Sequence, residues 1–398
     1  MRACRNNLPN ACPDTELQLR PADLNGEVIS GDAMNNAYVL NGRRYAAGID
    51  INAKGIRLVV MSRRLMGPPE LCVEHIGIAP LSDEAMAGPE LIDPAAVSCS
   101  IVSALGTFYS PRVAASLRVA MAIAPSATLI ASVPRAQLDT APGNFGAAAS
   151  RASAGRSTGR ARSRARLHDL ALDDLEPAVR AHVEARLGIE RSALAVDWFA
   201  GRGPLSTPDH LTIAAAAREH IDARIDAAAG AGLQLIAIDA EPVAALRACR
   251  YDATREVDPD EIYAVLWLGD DSTHLWAIHQ GRPIRELRVL VQRNIPTSLL
   301  ASLAVFAKSI TSESTPDARN MPFAAEPVVL DCAFVAGDLD SLIDAGITLD
   351  DISIALGCST FEFDAACQCE GRVPVALPAI RPAALAVAFG LALRSVLQ

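Results

Sequence analysis

The stretch that decides the fold is AAGIDINAKGIRLVV, residues 46–60. An apolar run precedes the polar turn and a β-branched run follows it, which predicts two paired strands. Asn52, Lys54 and Gly55 are expected to supply the positive φ angles and free N–H groups of a hairpin turn. Asp50 stands at the end of the first strand, where its carboxylate can take a metal ion or a water. The stretch therefore predicts a β-hairpin with an anion-binding turn and one acidic side chain beside it.

A second stretch repeats this pattern later in the chain. An apolar run at Ile262–Leu268 is followed by the turn Gly-Asp-Asp-Ser-Thr at 269–273 and by another strand pattern at 274–278. Two such hairpins predict two related halves that face each other across a cleft. Helical and strand patterns alternate around both hairpins, which is typical of an α/β fold.

Composition limits the classes of function. The chain has 398 residues, enough for two or three domains, and a net charge of −10. That charge argues against nucleic acid as the main partner, because phosphate binding needs a basic face. The apolar run at 383–393 is too short to span a bilayer, and no apolar segment of a secretory signal follows the N-terminal arginines. Nine cysteines without a CxxC pair indicate reduced thiols, so we expect a cytoplasmic protein.

Breaks in pattern and composition divide the chain into segments. The predicted segments are a flexible N-terminal extension (1–40), a first domain (41–125 and 208–255), a subdomain inserted into it (126–207) and a second domain (256–398). Within the subdomain, residues 141–166 are almost wholly Gly, Ala, Ser and Arg, which predicts a flexible loop. The arginines of this loop are expected either to be solvated or to contact anionic lipid headgroups.

Several motifs occur together in a familiar order. They are GIDI at 48–51, RVAMAIAPS at 118–126, AGL at 231–233, IDAEP at 238–242, the turn at 269–273 and AFGLALR at 388–394. In this order they resemble the PilM proteins of type IV pilus assembly, which share the actin-like ATPase fold with the division protein FtsA. The resemblance covers about residues 45–396. It implies an α/β, actin-like (ribonuclease H-like) two-domain fold with a small inserted subdomain.

The resemblance also implies partners and a cofactor. PilM proteins bind ATP with Mg²⁺ in the interdomain cleft, and the positions of this chain that match the nucleotide-binding turns are Asp50, Asn52, Ala53, Glu241, Gly269, Asp270 and Thr273. PilM proteins also hold the cytoplasmic N-terminal tail of the membrane protein PilN beside the inserted subdomain. The expected location is therefore cytoplasmic and peripheral to the inner membrane, with a PilN-like tail and other pilus assembly components as partners.

Three elements of the nucleotide site depart from the family pattern. Asn52 stands where the family has glycine, and Trp267 stands where the family has aspartate before the second turn. The family's Gly-Gly pair falls on Cys332 and Ala333, whose Cβ atoms would crowd a ligand that needs bare backbone. Residues 288–326 are also short for the family's second-domain lid. These departures predict a degraded nucleotide site and a scaffold, with weak or absent ATP turnover.

Two other functions stay open at this point. One is an active actin-like ATPase that regulates pilus or division machinery, in which Asp50 shares a metal ion with Asp270 or Asp271. The other is a cytoplasmic module of a type II secretion platform, whose L-type component has a similar fold. No catalytic residue is assigned, since the chain has no GxSxG, P-loop or HExxH motif.

Overall fold

A computed structural model describes nine segments of the chain. They are residues 39–40, 42–66, 71–108, 111–138, 175–200, 210–290, 296–312, 329–365 and 380–397. The predicted flexible loop at 141–166 lies outside the described residues. The predicted extension at 1–40 does too, except for its last two residues, which form a short strand.

The strands and helices follow the alternation predicted from the sequence. The strands are β1 (Val39–Leu40), β2 (Arg43–Asn52), β3 (Gly55–Arg64), β4 (Leu71–Ala79), β5 (Met86–Ala87), β6 (Glu90–Leu91), β7 (Arg118–Ile123), β8 (Thr128–Pro134), β9 (Leu194–Ala200), β10 (His210–Ala217), β11 (Gln234–Ala240), β12 (Ile262–Leu268), β13 (Ser272–His279), β14 (Arg282–Leu290), β15 (Cys332–Gly337) and β16 (Ser359–Glu362). The helices are α1 (Pro94–Leu105), α2 (Pro111–Ser116), α3 (Arg135–Leu138), α4 (Glu176–Leu187), α5 (Arg218–Gly230), α6 (Glu241–Glu256), α7 (Pro296–Ser312), α8 (Leu339–Asp344), α9 (Leu349–Leu356) and α10 (Ala386–Leu397).

Two sheets share one strand order. The first sheet runs β11-β7-β2-β3-β4, and the second runs β14-β13-β12-β15-β16. Taken in chain order, the first three strands of each five-strand path (β2, β3, β4 and β12, β13, β14) are antiparallel neighbours. The fourth and fifth strands (β7, β11 and β15, β16) run parallel to the first. Because both sheets have the order 3-2-1-4-5, the two halves are related. The repetition read from the two hairpins is thereby confirmed.

The hairpin that opens the first sheet has the predicted place and a different turn geometry. Asn52 pairs with Gly55, so Ala53 and Lys54 form the tip. Gly55 has a φ of +133°, and a Cβ there would lie 2.5 Å from the carbonyl oxygen of Ala79. Among described residues other than glycine, only Gln280 has a positive φ, so that prediction was wrong for Asn52 and Lys54. Instead, Asn52 Oδ1 accepts a hydrogen bond from the Lys54 backbone N–H at 3.0 Å.

Helices α6 and α10 form a core that both large sheets share. This core joins Ala46 and Val59 of the first sheet, Val265 of the second, and alanines of the two helices. Small residues allow close approach: a Cβ on Gly48 would lie 1.9 Å from the Ala388 carbonyl oxygen, and one on Gly390 would lie 1.9 Å from that of Ala244. Helix α10 is therefore wedged, backbone to backbone, between strand β2 and helix α6.

An ion-pair cluster fixes the same two helices to the edge of the first sheet. Asp239, near the end of β11, accepts a hydrogen bond from Arg247 of α6 at 2.7 Å and lies 3.0 Å from Arg394 of α10. Burial raises the pKa of Asp239, but the two arginines outweigh burial, and the net pKa is lowered. Arg247 also donates to the Gly390 carbonyl oxygen at 3.1 Å.

A third, smaller sheet has the antiparallel order β8-β10-β9. Helix α4 covers one of its faces through Ala178, Val179 and Val183, which pack with Leu211 and Ile213 of the central strand. Between β7 and β11 the chain thus leaves the first sheet and returns to it.

Candidate functional site

The turns of the two large sheets meet at a small cavity. Five of the seven residues predicted from the nucleotide-binding turns line it, namely Asp50, Asn52, Glu241, Gly269 and Asp270. The other two lie elsewhere in the described structure: Ala53 is exposed at the hairpin tip, and Thr273 is buried in β13 opposite Leu268. Five of the seven residues thus lie together, and their role in binding a nucleotide stays a prediction.

The cavity is far smaller than a ligand site. Its volume is about 20 Å³, which is room for about one water molecule. Pockets that hold small molecules usually measure about 300 to 1,000 Å³. Three features of the chain limit the space and the free charge at this cavity: an ion pair at Asp50, an indole ring at Trp267 and an ion pair across the cleft mouth.

Asp50 is already compensated by a cation of its own hairpin. Strand pairing sets Asp50 opposite Arg57, and Arg57 Nη1 lies 3.2 Å from Asp50 Oδ2. Both side chains are largely buried. Burial raises the pKa of Asp50, Arg57 opposes that shift, Asp270 adds to it, and the net pKa is raised. The carboxylate of Asp50 therefore already has a cationic partner within its own hairpin.

Glu241 is a second buried carboxyl at the same place. It is the first residue of α6, and only 8% of it is exposed. Burial and then the charges of Asp50, Asp270 and Asp271 raise the pKa of Glu241 well above its ordinary value. Arg224 alone opposes this rise. The site therefore favours the protonated form of Glu241.

Arg224 supplies a buried positive charge behind Glu241. Its Nε donates to the Ala122 carbonyl oxygen at 2.7 Å and its Nη1 to that of His220 at 2.9 Å. Burial lowers the pKa of Arg224 to about 10, and Glu241 acts in the opposite direction. The guanidinium thus ties β7 to α5 at the base of the cleft. No local signal in the sequence marks this residue, because one of its two carbonyl partners lies far away in the chain.

Trp267 covers the second turn. A Cβ added to Gly269 would lie 2.3 Å from Cη2 of Trp267, so the indole ring rests directly on that glycine. The ring is 2% exposed, and its centroid lies 5.7 Å from that of His274. The resemblance to PilM proteins implies an aspartate at this position, and this chain has a large apolar ring there. Trp267 therefore fills space that a turn-bound anion would need.

An ion pair spans the cleft mouth. Lys54 Nζ, at the tip of the first hairpin, contacts Asp338 Oδ2, which follows β15 of the second sheet. Asp338 caps α8 and also accepts a hydrogen bond from Ser341 Oγ. Burial raises the pKa of Asp338, but the hydrogen bonds from Lys54 and Ser341 outweigh it, and the net pKa is lowered. An aspartate just before a helix is a recognisable N-cap signal, yet its lysine partner lies too far away in sequence to be inferred.

A larger cavity of about 260 Å³ lies on the other side of this ion pair. Three cations line it, and each is already paired: Lys54 with Asp338, Arg57 with Asp50, and Arg381 with Asp340. Its other charged lining residue is Asp344. A phosphate group entering this cavity would meet carboxylates and cations that are already neutralised.

The two residues expected to match the family's glycine pair lie at the end of a strand that is far from the cleft. The short apolar run at 327–330 predicts a buried strand, but Val329 and Leu330 precede β15, which Cys332 and Ala333 open. The residues of this connection that reach the cleft are Gly337 and Asp338, at the other end of β15. The expected crowding by Cys332 and Ala333 therefore does not arise.

The residues present do not fit Mg²⁺-ATP. Within the described segments, no three His, Cys, Asp or Glu side chains are placed to hold a metal ion. Trp267 lies against the second turn, and the cavity beside it measures about 20 Å³. The neighbouring cavity of about 260 Å³ is lined by cations that already have carboxylate partners.

The two sheets of one order, the two helices between them and the cleft at their turns define a two-domain, actin-like protein. This is the fold class predicted from the sequence. In the part of the chain that the structure describes, no helix combines the length and apolar character needed to cross a membrane.

Comparison with solved structures agrees with this class. The chain is similar to a chain of the PilM-PilN type IV pilus biogenesis complex, with 17% identity, a TM-score of 0.58, and 88% of this chain and 98% of that chain covered. The predicted resemblance to PilM is thus confirmed at the level of the fold.

Two further structures give lower scores. One is the cytoplasmic domain of EpsL from the type II secretion system of Vibrio cholerae (TM-score 0.38, 11% identity, covering 88% of this chain and 95% of that chain). The other is a Bacteroides thetaiotaomicron protein with an actin-like ATPase fold (TM-score 0.37, 8% identity, covering 80% and 90%). No protein-family model and no curated protein sequence matches the chain.

Proposed function

We propose that this protein is a scaffold of type IV pilus assembly that binds the cytoplasmic N-terminal tail of a PilN-like inner-membrane protein and does not use a nucleotide. The observation that carries this proposal is the fold similarity to a chain of the PilM-PilN complex, which extends over 98% of that chain. The closed cleft supports the second half of the proposal. On this view the protein acts at the cytoplasmic face of the inner membrane, together with other pilus assembly components.

We propose the domain division that follows from this function. Residues 41–125 and 208–255 form the first domain, 126–207 the inserted subdomain and 256–398 a second domain with a reduced lid. Strands β8 and β9 of the third sheet lie within 126–207, and its central strand β10 (His210–Ala217) follows that range, so the subdomain extends to residue 217. The face of this sheet opposite α4 carries Phe199 next to Thr212, and Ile130 next to Ala214. Ile130, Phe199 and Ala214 are half-buried, which suits an apolar segment of a bound tail.

The experiment is a titration with a fluorescent peptide of a PilN-like tail, followed by anisotropy, with and without ATP and Mg²⁺. We expect the same affinity in both conditions. Phe199→Ser should lower the affinity at least about tenfold if this side chain is a central contact. The matched control is Ile354→Ser, which removes an isoleucine that is 80% exposed on α9. Equal binding by the wild type and Phe199→Ser would overturn the proposed binding face, and no binding by the wild type would overturn the function.

An active ATPase is the second candidate, because Asp50, Glu241 and Asp270 do meet at one cavity. Steady phosphate release by the wild type that is lost in Asp50→Ala would establish this activity. The scaffold proposal predicts no such release.

A further inference from the structure

The ion pair between Lys54 and Asp338 joins parts of the chain that belong to different sheets. Lys54 lies at the tip of the β2–β3 hairpin, and Asp338 lies between β15 and α8. The Lys54 side chain is 50% exposed, and that of Asp338 is 18% exposed. The contact therefore stands at the entrance of the cleft and bridges its two walls.

Asp338 is held rigidly for this contact. Its backbone N–H donates to the Leu268 carbonyl oxygen at 2.9 Å, and its carboxylate accepts from Ser341 at the start of α8. Gly337, just before it, has a φ of +97°, and a Cβ there would lie 2.1 Å from the Leu268 oxygen. The chain around Asp338 is thus pressed against the end of β12, next to Trp267.

Trp267 lies behind this bridge. Its ring lines the same small cavity as Asp338 and Gly337. One edge of the ring faces the small cavity, and its other contacts are in the second sheet and in the core shared by α6 and α10. Opening of the two halves at this entrance would therefore expose that edge. Exposure of Trp267 is therefore a direct measure of cleft opening.

We propose that the Lys54–Asp338 ion pair is a built-in clasp that holds the two halves closed over Trp267 without a bound nucleotide. This inference rests on the loss of the nucleotide site proposed above. The pair provides a charged contact between the walls where an actin-like protein with an open site would have room for a ligand. A clasp of this kind keeps the arrangement of the two halves constant, independent of the nucleotide supply.

The test uses the full chain labelled with fluorotryptophan and observed by fluorine NMR. The sequence has three tryptophans, so Trp267→Phe assigns the signal of Trp267, and Trp198 and Trp276 serve as internal references. Lys54→Met and Asp338→Asn each remove one charge of the clasp. Asparagine is also a good N-cap, so Asp338→Asn keeps the start of α8. Both variants should broaden the Trp267 signal and raise its H₂O/D₂O solvent isotope shift toward that of an exposed ring.

Two controls separate the clasp from a general loss of charge. Arg381→Met removes ion pairs to Asp340 and Glu362, all within the second half, and should leave the Trp267 signal unchanged. The exchanged pair, Lys54→Asp with Asp338→Lys, should restore the wild-type signal. In about 1 M salt, where the screening length is about 3 Å, the wild-type signal should shift toward that of Lys54→Met.

An unchanged Trp267 signal in both single-charge variants would overturn the clasp, as would failure of the exchanged pair to restore it. The failure of the proposed function is seen separately. Micromolar binding of a fluorescent ATP analogue to the wild type would overturn the nucleotide-independent scaffold whatever the Trp267 signal does. Conversely, if the single-charge variants leave the Trp267 signal unchanged, the wild type should still bind the tail peptide.

Discussion

Replacement of Glu241 by glutamine is expected to stabilise the folded protein at neutral pH and to flatten the dependence of its stability on pH. Glutamine keeps the size of the side chain and cannot ionise. Only 8% of Glu241 is exposed. Burial raises its pKa, and Asp50, Asp270 and Asp271 raise it further against the opposing charge of Arg224. The variant therefore removes an ionisable group whose charged form the folded state disfavours.

The sign follows from proton linkage. The folded protein holds the Glu241 proton more tightly than the unfolded chain does, so it carries the extra proton above about pH 4.5, the ordinary value for this group. Stability is therefore lost as pH rises from there to the folded pKa. For one proton the loss is at most about 1.4 kcal/mol per pH unit. Below that window, the wild type and Glu241→Gln should differ little.

The assay is urea unfolding of both proteins at several pH values from about 5 to about 8, all above the ordinary pKa of a glutamate. The difference in unfolding free energy should grow with pH in favour of Glu241→Gln. Asp50 leaves a residual slope in both proteins, since its pKa is also raised. The control is Glu219→Gln, an exposed position in the first turn of α5. Parallel curves for the wild type and Glu241→Gln, or a wild type that gains stability with pH relative to the variant, would refute the reasoning.

Three further predictions concern the core and the cleft. Gly390→Ala should lower the unfolding free energy by about 1 to 3 kcal/mol in urea titrations, because its Cβ would lie 1.9 Å from a backbone oxygen of α6; a neutral effect would contradict the wedge of α10. Trp267→Ala should lower the unfolding free energy by about 3 to 5 kcal/mol in the same titrations, and a decrease below about 1 kcal/mol would show that the ring does not fill the cleft. Asp239→Asn should lower the unfolding free energy by about 3 kcal/mol, since it leaves two arginines without their carboxylate. Thermal unfolding at moderate and high salt measures this loss, and an unchanged midpoint would disprove the role of the cluster.

Much of the fold could be predicted because its signals are local. The hairpin at 46–60 is marked by two apolar runs around a polar turn, and strands β2 and β3 extend that pattern in both directions. Its repetition at Ile262–Leu268 is enough to indicate two related halves from residue pattern alone. Five predicted residues then meet at one cavity, because equivalent turns of two related sheets face each other.

Other features could not be predicted from local pattern. The apolar run ending at Leu330 has the composition of a strand, yet Val329 is 52% exposed and β15 begins two residues after Leu330. A shift of this size changes which residues reach the cleft, and β propensity does not distinguish the two registers. The partner of Lys54 lies 284 residues away. Only the assembled sheets bring these two charges together.

Three features of the cleft bear on different requirements that a nucleotide site would have. Trp267 takes the space over the second turn, Arg57 neutralises Asp50, and Lys54 pairs its charge with Asp338. Removing the ring alone would open space next to Glu241 and Asp270, where added negative charge is disfavoured. Freeing Lys54 alone would supply a cation but leave the turn covered. Packing and charge therefore both contribute to the closed cleft.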